Sequence, residues 1–351
     1  MNLMTANKQW ASRPSDERFT SLDLMSEHFR TIRANSRALV ASSKQLRLQP
    51  EDNNALALYG ANGVGYEPTH WSFGQLATLA EAPAGCLRTL PSPMAADCIN
   101  FGLQCKRQIE DVGILLCKNG KSEVRAATGP RYGRIWNSDI TDSLVSRFGD
   151  GVSGQWRVPG EFGVRVDVNK QNTTLYASDR DMFVFLADEE NRIEVAGRTL
   201  ARGFFVWNSE VGATTFGLGT FLFDYVCCNR IIWGATQYSE LKLRHTASAP
   251  DRFLAEVTPA LQSYAASSTH NIVEAIENAR ADRLADVDEF LAKRYGPRMV
   301  QAIKAVHALE ENRPIETRWD VVVAVTAKAR GIEHQDARVD LERNAGDLLN
   351  N

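Results

Sequence analysis

Apolar and polar positions alternate in three different ways along this chain. Over residues 21–42, Leu22, Met25, Phe29 and Ile32 recur at helical spacing, which predicts one amphipathic helix with a solvated basic face. Residues 69–103 keep that period, with apolar faces from Trp71, Phe73, Leu76 and Leu79 and then Cys86, Leu87 and Leu90. Pro83, Pro91 and Pro93 cut this stretch into short helices, because proline removes a backbone donor.

Near Val112 the period changes. Residues 112–117 and 123–126 flank Lys118-Asn-Gly-Lys121, and Asn119-Gly120 is the turn signal of a β-hairpin. Further strands are predicted at 156–159, 162–168, 182–187, 200–208, 231–233 and 241–245. Within them Phe162, Val164, Val166 and Val168 alternate with Gly163, Arg165 and Asp167, the pattern of a sheet with one buried face. Residues 216–228 are apolar on both faces and fit either a buried strand or a short buried helix. After Pro250 helical periodicity returns over 251–281, 283–295, 298–311, 318–330 and 336–349, broken at Gly296-Pro297 and Arg313-Pro314. The expected architecture is α+β: a helical N-terminal segment (1–110), a central, mostly antiparallel β-rich domain (111–250), and a C-terminal helical module (251–351) packed on or beside the sheet.

Composition sharpens this picture only locally. The 351 residues are 44% hydrophobic and 24% charged, with a net charge of −3, which argues against coating nucleic acid by bulk charge. The first 50 residues carry a local excess of positive charge, and the last hundred are acidic. No basic segment followed by an apolar one marks secretion, and no run of about 18 apolar residues predicts a membrane span. Cys86, Cys98, Cys105, Cys117, Cys227 and Cys228 show no C-x-x-C spacing and read as buried thiols in a reducing compartment, the cytoplasm of a bacterial host.

Enzyme signatures are weak, and no catalytic residue and no cofactor is expected. Gly60-Ala-Asn-Gly63-Val-Gly65 lacks the strand and helix of a dinucleotide loop. Gly212-Ala-Thr-Thr-Phe-Gly217 has P-loop glycine spacing, but Leu218 and Gly219 stand where lysine and a hydroxyl residue would hold phosphate and metal. The six histidines are scattered, and none has a second ligand at metal spacing. Asp179, Asp181, Asp188 and Glu190 bracket a strand and could hold magnesium, although acids at strand ends are more often solvated turn positions.

The stronger signal is cationic and aromatic. Lys118, Lys121, Arg125, Arg131 and Arg134 face Glu123 alone, and Tyr132 and Trp136 are interleaved with the arginines. A second set follows: Arg202, Trp207, Arg230, Trp233, Lys242, Arg244 and His245, with Asn208, Ser209 and Asn229 as polar neighbours. Single-stranded nucleic acid is held by this combination, cations on phosphates and ring faces on bases. Each aromatic taken alone is more often part of a core. The expected contacts are Lys121, Arg125, Arg131, Tyr132, Arg134, Trp136, Trp207, Arg230, Lys242, Arg244 and His245.

The same residues carry a family resemblance. Val124-Arg-Ala-Ala-Thr-Gly-Pro-Arg-Tyr-Gly-Arg-Ile-Trp-Asn137 resembles the "R-Y-x-x-I-x-N" passage of the phage- and plasmid-borne family called domain of unknown function 932. Residues 204–212, 221–229 and 243–246 are similar to its "S-N-S-x-x-G", "R-x-V-C-x-N" and "R-H-T" passages. Residues 317–320 and 341–346 resemble its ending. Trp207 departs from a commoner serine, and Asp224 stands near a frequent arginine. The resemblance implies a phage or mobile-element protein, and by analogy single-strand binding or annealing in recombination or replication, with single-stranded DNA as partner. The C-terminal helices are expected to cover the sheet or make homo-oligomer contacts. The competing expectation is an interaction factor that binds a host protein, such as a defence inhibitor, without touching nucleic acid.

Overall fold

The computed structural model describes residues 14–59, 63–105, 110–158, 167–224, 229–231, 240–332 and 335–349. After the two-residue strand β1 (Arg18–Phe19), the Ser21 hydroxyl accepts the Leu24 amide and caps α1 (Leu22–Ala34). Leu22, Met25 and Phe29 are buried, the stripe the spacing predicts. The helix ends sooner than expected. Asn35 closes it on the Thr31 carbonyl, and the chain continues as β2 (Ser36–Ser42). Leu39 and Ala41 turn inward there while Ala38 and Val40 stay exposed, and ladder pairing along all seven residues outweighs helical propensity.

β3 (Leu48–Pro50), β4 (Leu56–Tyr59) and β5 (Gly65–Pro68) precede α2 (His70–Leu79), α3 (Ala84–Leu87) and α4 (Ser92–Cys105). The expected hairpin follows as β6 (Asp111–Asn119) and β7 (Lys121–Thr128), turning at Gly120 with φ of 75°. These strands form one six-stranded sheet in the order β2–β6–β7–β5–β4–β3, antiparallel except for β5 beside β7. The boundary expected at residue 110 therefore runs through a sheet. Strands of three or four residues, such as β3 to β5, are too short to show a period of two, so the sequence assigns no element between the two helical stretches.

The second sheet has nine strands. After α5 (Asn137–Phe148) come β8 (Trp156–Arg157), β9 (Leu175–Ala177), β10 (Met182–Asp188), β11 (Ile193–Val195), β12 (Arg198–Asn208), β13 (Phe216–Asp224), β14 (Asn229–Ile231) and β15 (Glu240–Leu243). The order is β1–β9–β10–β12–β13–β14, with β8 on β10, β11 on β12 and β15 on β13, all antiparallel. The ambiguous apolar run is thus a strand over residues 216–224. Most of the strand expected at 162–168, and residues 225–228 and 232–239, lie outside the described residues.

Both faces of this sheet are buried. Val184, Leu186, Phe204, Val206 and Phe216 pack on α1, α5, α6 (Ala249–Arg252), the π-helical turn Phe253–Val257 and α7 (Thr258–Ala266). On the opposite face, aromatic rings lie across facing glycines: Phe221 opposite Gly203, Phe205 opposite Gly219, and Trp207 opposite Gly217. A Cβ on Gly203 or Gly217 would sit 1.9 Å from the ring, so these glycines are ring seats. The end of the sheet at Leu200, Leu222 and Ile231 packs against α8 (His270–Ala281), α9 (Val287–Ala292), α10 (Pro297–Glu311), α11 (Arg318–Arg330) and α12 (Gln335–Asp347).

The fold is α+β. Cys117 is buried, but Cys86, Cys98 and Cys105 are exposed, correcting their expected burial: they lie on outward faces of α3 and α4. Cys227 and Cys228 lie outside the described residues. Among the described residues no helix is long and apolar enough to cross a membrane.

Candidate functional site

Residues 129–136 leave β7 and arch across the end of β15 before α5 begins. The Gly133 amide donates to the His245 carbonyl at 3.0 Å, and a Cβ there would lie 1.7 Å from the Thr246 carbonyl oxygen. Only glycine permits that approach. It brings two separated basic and aromatic passages into one place.

Their side chains form a column. The His245 ring stacks on Tyr132 with centroids 4.8 Å apart, and its Nδ1 donates to the Gly133 carbonyl at 3.0 Å. The Arg134 guanidinium lies 5.3 Å from the Tyr132 ring centroid and 5.6 Å from that of Trp136. Arg33 of α1 covers Trp136 at 5.2 Å and also holds Ser138 and Asp139. The sequence along the column is Arg33, Trp136, Arg134, Tyr132, His245, cations alternating with rings over most of its length. Each cation–ring contact contributes about 0.5–2 kcal/mol, more where water is excluded.

A buried hub holds the column from beneath. Glu210, 1% exposed, binds the Arg125 guanidinium of β7 at 2.8 Å through Oε2 and accepts the Asn137 amide at 2.8 Å through Oε1. That amide opens α5, where a carboxylate also complements the helix dipole. Asn208 donates to the Ile135 carbonyl at 2.9 Å and to Asn137 Oδ1 at 2.7 Å, and the Tyr132 hydroxyl donates to the Ser209 carbonyl at 2.8 Å. From α2, Trp71 and Gln75 both donate to the Val211 carbonyl, while Gln75 accepts the Ala127 amide. The 208–212 loop of one sheet is thereby fastened to β7 of the other.

Burial sets the charges. It pushes the Tyr132 hydroxyl far above its usual range, and it lowers His245 against the opposing pull of the Gly133 carbonyl. Both rings are therefore neutral at neutral pH. Burial also lowers Arg134, partly offset by Tyr132 and the Glu210 carboxylate. Arg134 makes no hydrogen bond or ion pair among the described residues, and its Nη1 is buried without a partner, as are His245 Nε2 and Thr214 Oγ1 nearby in the chain's fold.

The structure brings together Arg131, Tyr132, Arg134, Trp136, Arg244 and His245, with Arg131 and Arg244 exposed and Lys242 exposed on β15. It removes others. Arg125 is buried in its ion pair and Trp207 lies flat over Gly217, so neither offers a surface; β12 is covered on both faces, which a single-faced pattern does not reveal. Lys121 is exposed at the opposite end of β7, about 25 Å up the strand from the arch at 3.3 Å per residue. Arg230 lies on β14 opposite Phe223, and its side chain, like Trp233, is outside the described residues.

Arg33 and Glu210 were missed. Arg33 reads as one more cation on a helix face, and Glu210 is an acid among bases. The acids bracketing β10 do not form a ligand set: Asp188 is buried against Arg202 at 3.0 Å, Asp181 accepts from Ser178, and Asp179 and Glu190 are exposed. Among the described residues no three metal-binding side chains converge. In comparisons with known proteins, no family model, no curated protein and no solved structure matches the chain.

Proposed function

We propose that this protein binds single-stranded nucleic acid across the arch formed by residues 131–136 and 244–246. The observation that carries the reading is Arg134, a half-buried guanidinium held between two rings with no hydrogen-bond acceptor among the described residues. An uncommitted guanidinium in that setting is suited to a phosphate oxygen, while the Trp136 and Tyr132 rings, whose faces are taken by Arg33, Arg134 and His245, hold it in place. Arg131, Arg244 and Lys242 add exposed positive charge on either side. The hub beneath supplies rigidity, which reduces the ordering cost of binding. The resemblance to a phage- and plasmid-borne family, carried partly by these residues, supports a role in the recombination or replication of a mobile element.

Gel-shift titration of a labelled thirty-nucleotide strand at several salt concentrations tests this. The expected result is binding that falls with salt, with Arg134→Ala reducing the log–log slope by about one. Failure to retard any oligonucleotide at low salt would sink the reading. An unchanged slope in the Arg134→Ala protein would remove the arch as the contact.

A further inference from the structure

The six-stranded sheet has a free edge beside a cavity. β2 is terminal in the strand order, and among the described residues no strand pairs with its outer side. Folded proteins usually blunt such an edge with prolines, bulges or covering segments, because an unpaired row of amides and carbonyls recruits another strand. β2 has no proline, pairs with β6 without a register shift, and leaves Val40 59% exposed.

Leu39 and Ala41, on the inward side of the same strand, line a cavity of about 520 Å³. Ile114 and Leu116 of β6, Leu58 of β4 and Tyr66 of β5 form its other apolar walls. In a flat sheet β2 and β4 would be about 19 Å apart, four strand spacings, so the sheet curls to bring both to one cavity. The volume is in the range of pockets that enclose a bulky side chain or small ligand. Its polar lining consists of neutral Gln45 and Tyr59 and cationic Arg47. Arg47, exposed, lines it with no hydrogen bond or ion pair among the described residues. Lys118 lies over the Tyr66 ring, its Nζ 5.5 Å from the centroid. The neighbouring acid, Glu51, is taken by the Tyr59 hydroxyl at 2.5 Å.

We infer that β2 is a docking edge for an extended peptide of another protein, which adds a strand to the sheet, inserts a large apolar side chain into the cavity, and presents a carboxylate to Arg47. Main-chain pairing supplies general affinity in this mode and the pocket supplies selection. A second copy of this chain pairing through its own β2 fits less well, since its Leu39 and Ala41 would face its own cavity and leave this one empty.

The probe is a positional-scanning set of dye-labelled octapeptides with alternating apolar and polar residues, each made with a free C-terminal carboxylate and as the amide. Fluorescence anisotropy should find binders with a large apolar residue at or near the end, and the amide should bind about tenfold more weakly. Arg47→Glu, at an exposed position, should weaken carboxylate peptides by at least that factor and leave amides unchanged. Ala41→Trp, which fills the cavity, should abolish binding of both. Hydrogen exchange of the wild-type protein with the best peptide should show new protection confined to residues 36–42. No binding at millimolar peptide, or binding indifferent to both variants, overturns the inference. Self-association in light scattering that the peptides do not compete away overturns it in favour of a β2–β2 dimer.

Discussion

Removing the Glu210 carboxylate should unfasten the two sheets, and the size of the effect follows from its surroundings. In Glu210→Ala the Arg125 guanidinium, whose side chain is 6% exposed, loses its ion-pair partner and stays buried. Stranding one partner of such a pair costs about 3–5 kcal/mol. The Asn137 amide also loses its acceptor, a further ~1 kcal/mol. The total, about 4–6 kcal/mol, is a large share of the ~5–15 kcal/mol that typically holds a domain folded. Glu210→Gln can still accept the Asn137 amide but lacks the charge, and should cost about 1.5–3 kcal/mol, the worth of a hydrogen bond to a charged group. Replacing both partners, Arg125→Met with Glu210→Leu, strands no charge. Its cost should fall short of the sum of the single changes by at least ~2 kcal/mol. Urea unfolding followed by circular dichroism gives these numbers by linear extrapolation. A loss below ~1 kcal/mol for Glu210→Ala, or additivity within ~0.5 kcal/mol, would refute the hub.

Other changes test separate parts of the structure. Gly217→Ala places a Cβ 1.9 Å from Trp207 and should lower the unfolding free energy by at least ~1–3 kcal/mol, whereas Gly197→Ala, with open space around its Cβ, isolates the cost of a positive φ alone. Burial by itself raises the Asp320 carboxyl, but hydrogen bonds from Arg313, the Glu316 and Thr317 amides and the Thr317 hydroxyl outweigh it and hold the group at about 2, below its ordinary 3.8. Its stabilisation is therefore complete above about pH 4 and lost as pH falls towards 2; Asp320→Asn should flatten that acid limb by about 1–2 kcal/mol in urea titrations. His307 is buried with both ring nitrogens unpartnered among the described residues, and burial lowers it below 6.5 against the Asp320 carboxylate, so the unfolded chain takes up the proton first as pH falls. His307→Leu should be at least as stable at neutral pH and should lose less stability than the parent at about pH 5.5, measured by thermal or urea unfolding.

Some of this was legible in the chain itself. The Asn119-Gly120 turn marks the β6–β7 hairpin because few residues adopt that backbone, and Leu22, Met25 and Phe29 mark one face of α1. The two passages carrying Arg131–Trp136 and Arg244–His245 are recognisable by composition, and they do meet. Their contact depends on Gly133, whose need for close approach has no local signature. Glu210 was hidden because its partner Arg125 lies 85 positions away on another sheet. Arg125 and Trp207 were misplaced because β7 and β12 are buried where a one-sided strand would expose alternate residues. Strands β3 to β5 escaped because three or four residues carry too little pattern.

The pairing of β2 with β6 sets an order of assembly. Ser36 lies opposite Cys117 and Ser42 opposite Asp111, so the first strand emerges from the ribosome long before its partner exists. Until then β2 to β5 have no central hairpin to add to, and the apolar sides of Leu39, Leu58 and Tyr66 remain without the β6 side chains that cover them. A nascent fragment ending near residue 105 should therefore be a client for chaperones, and a gene split at that point should yield two insoluble halves that recover only when produced together.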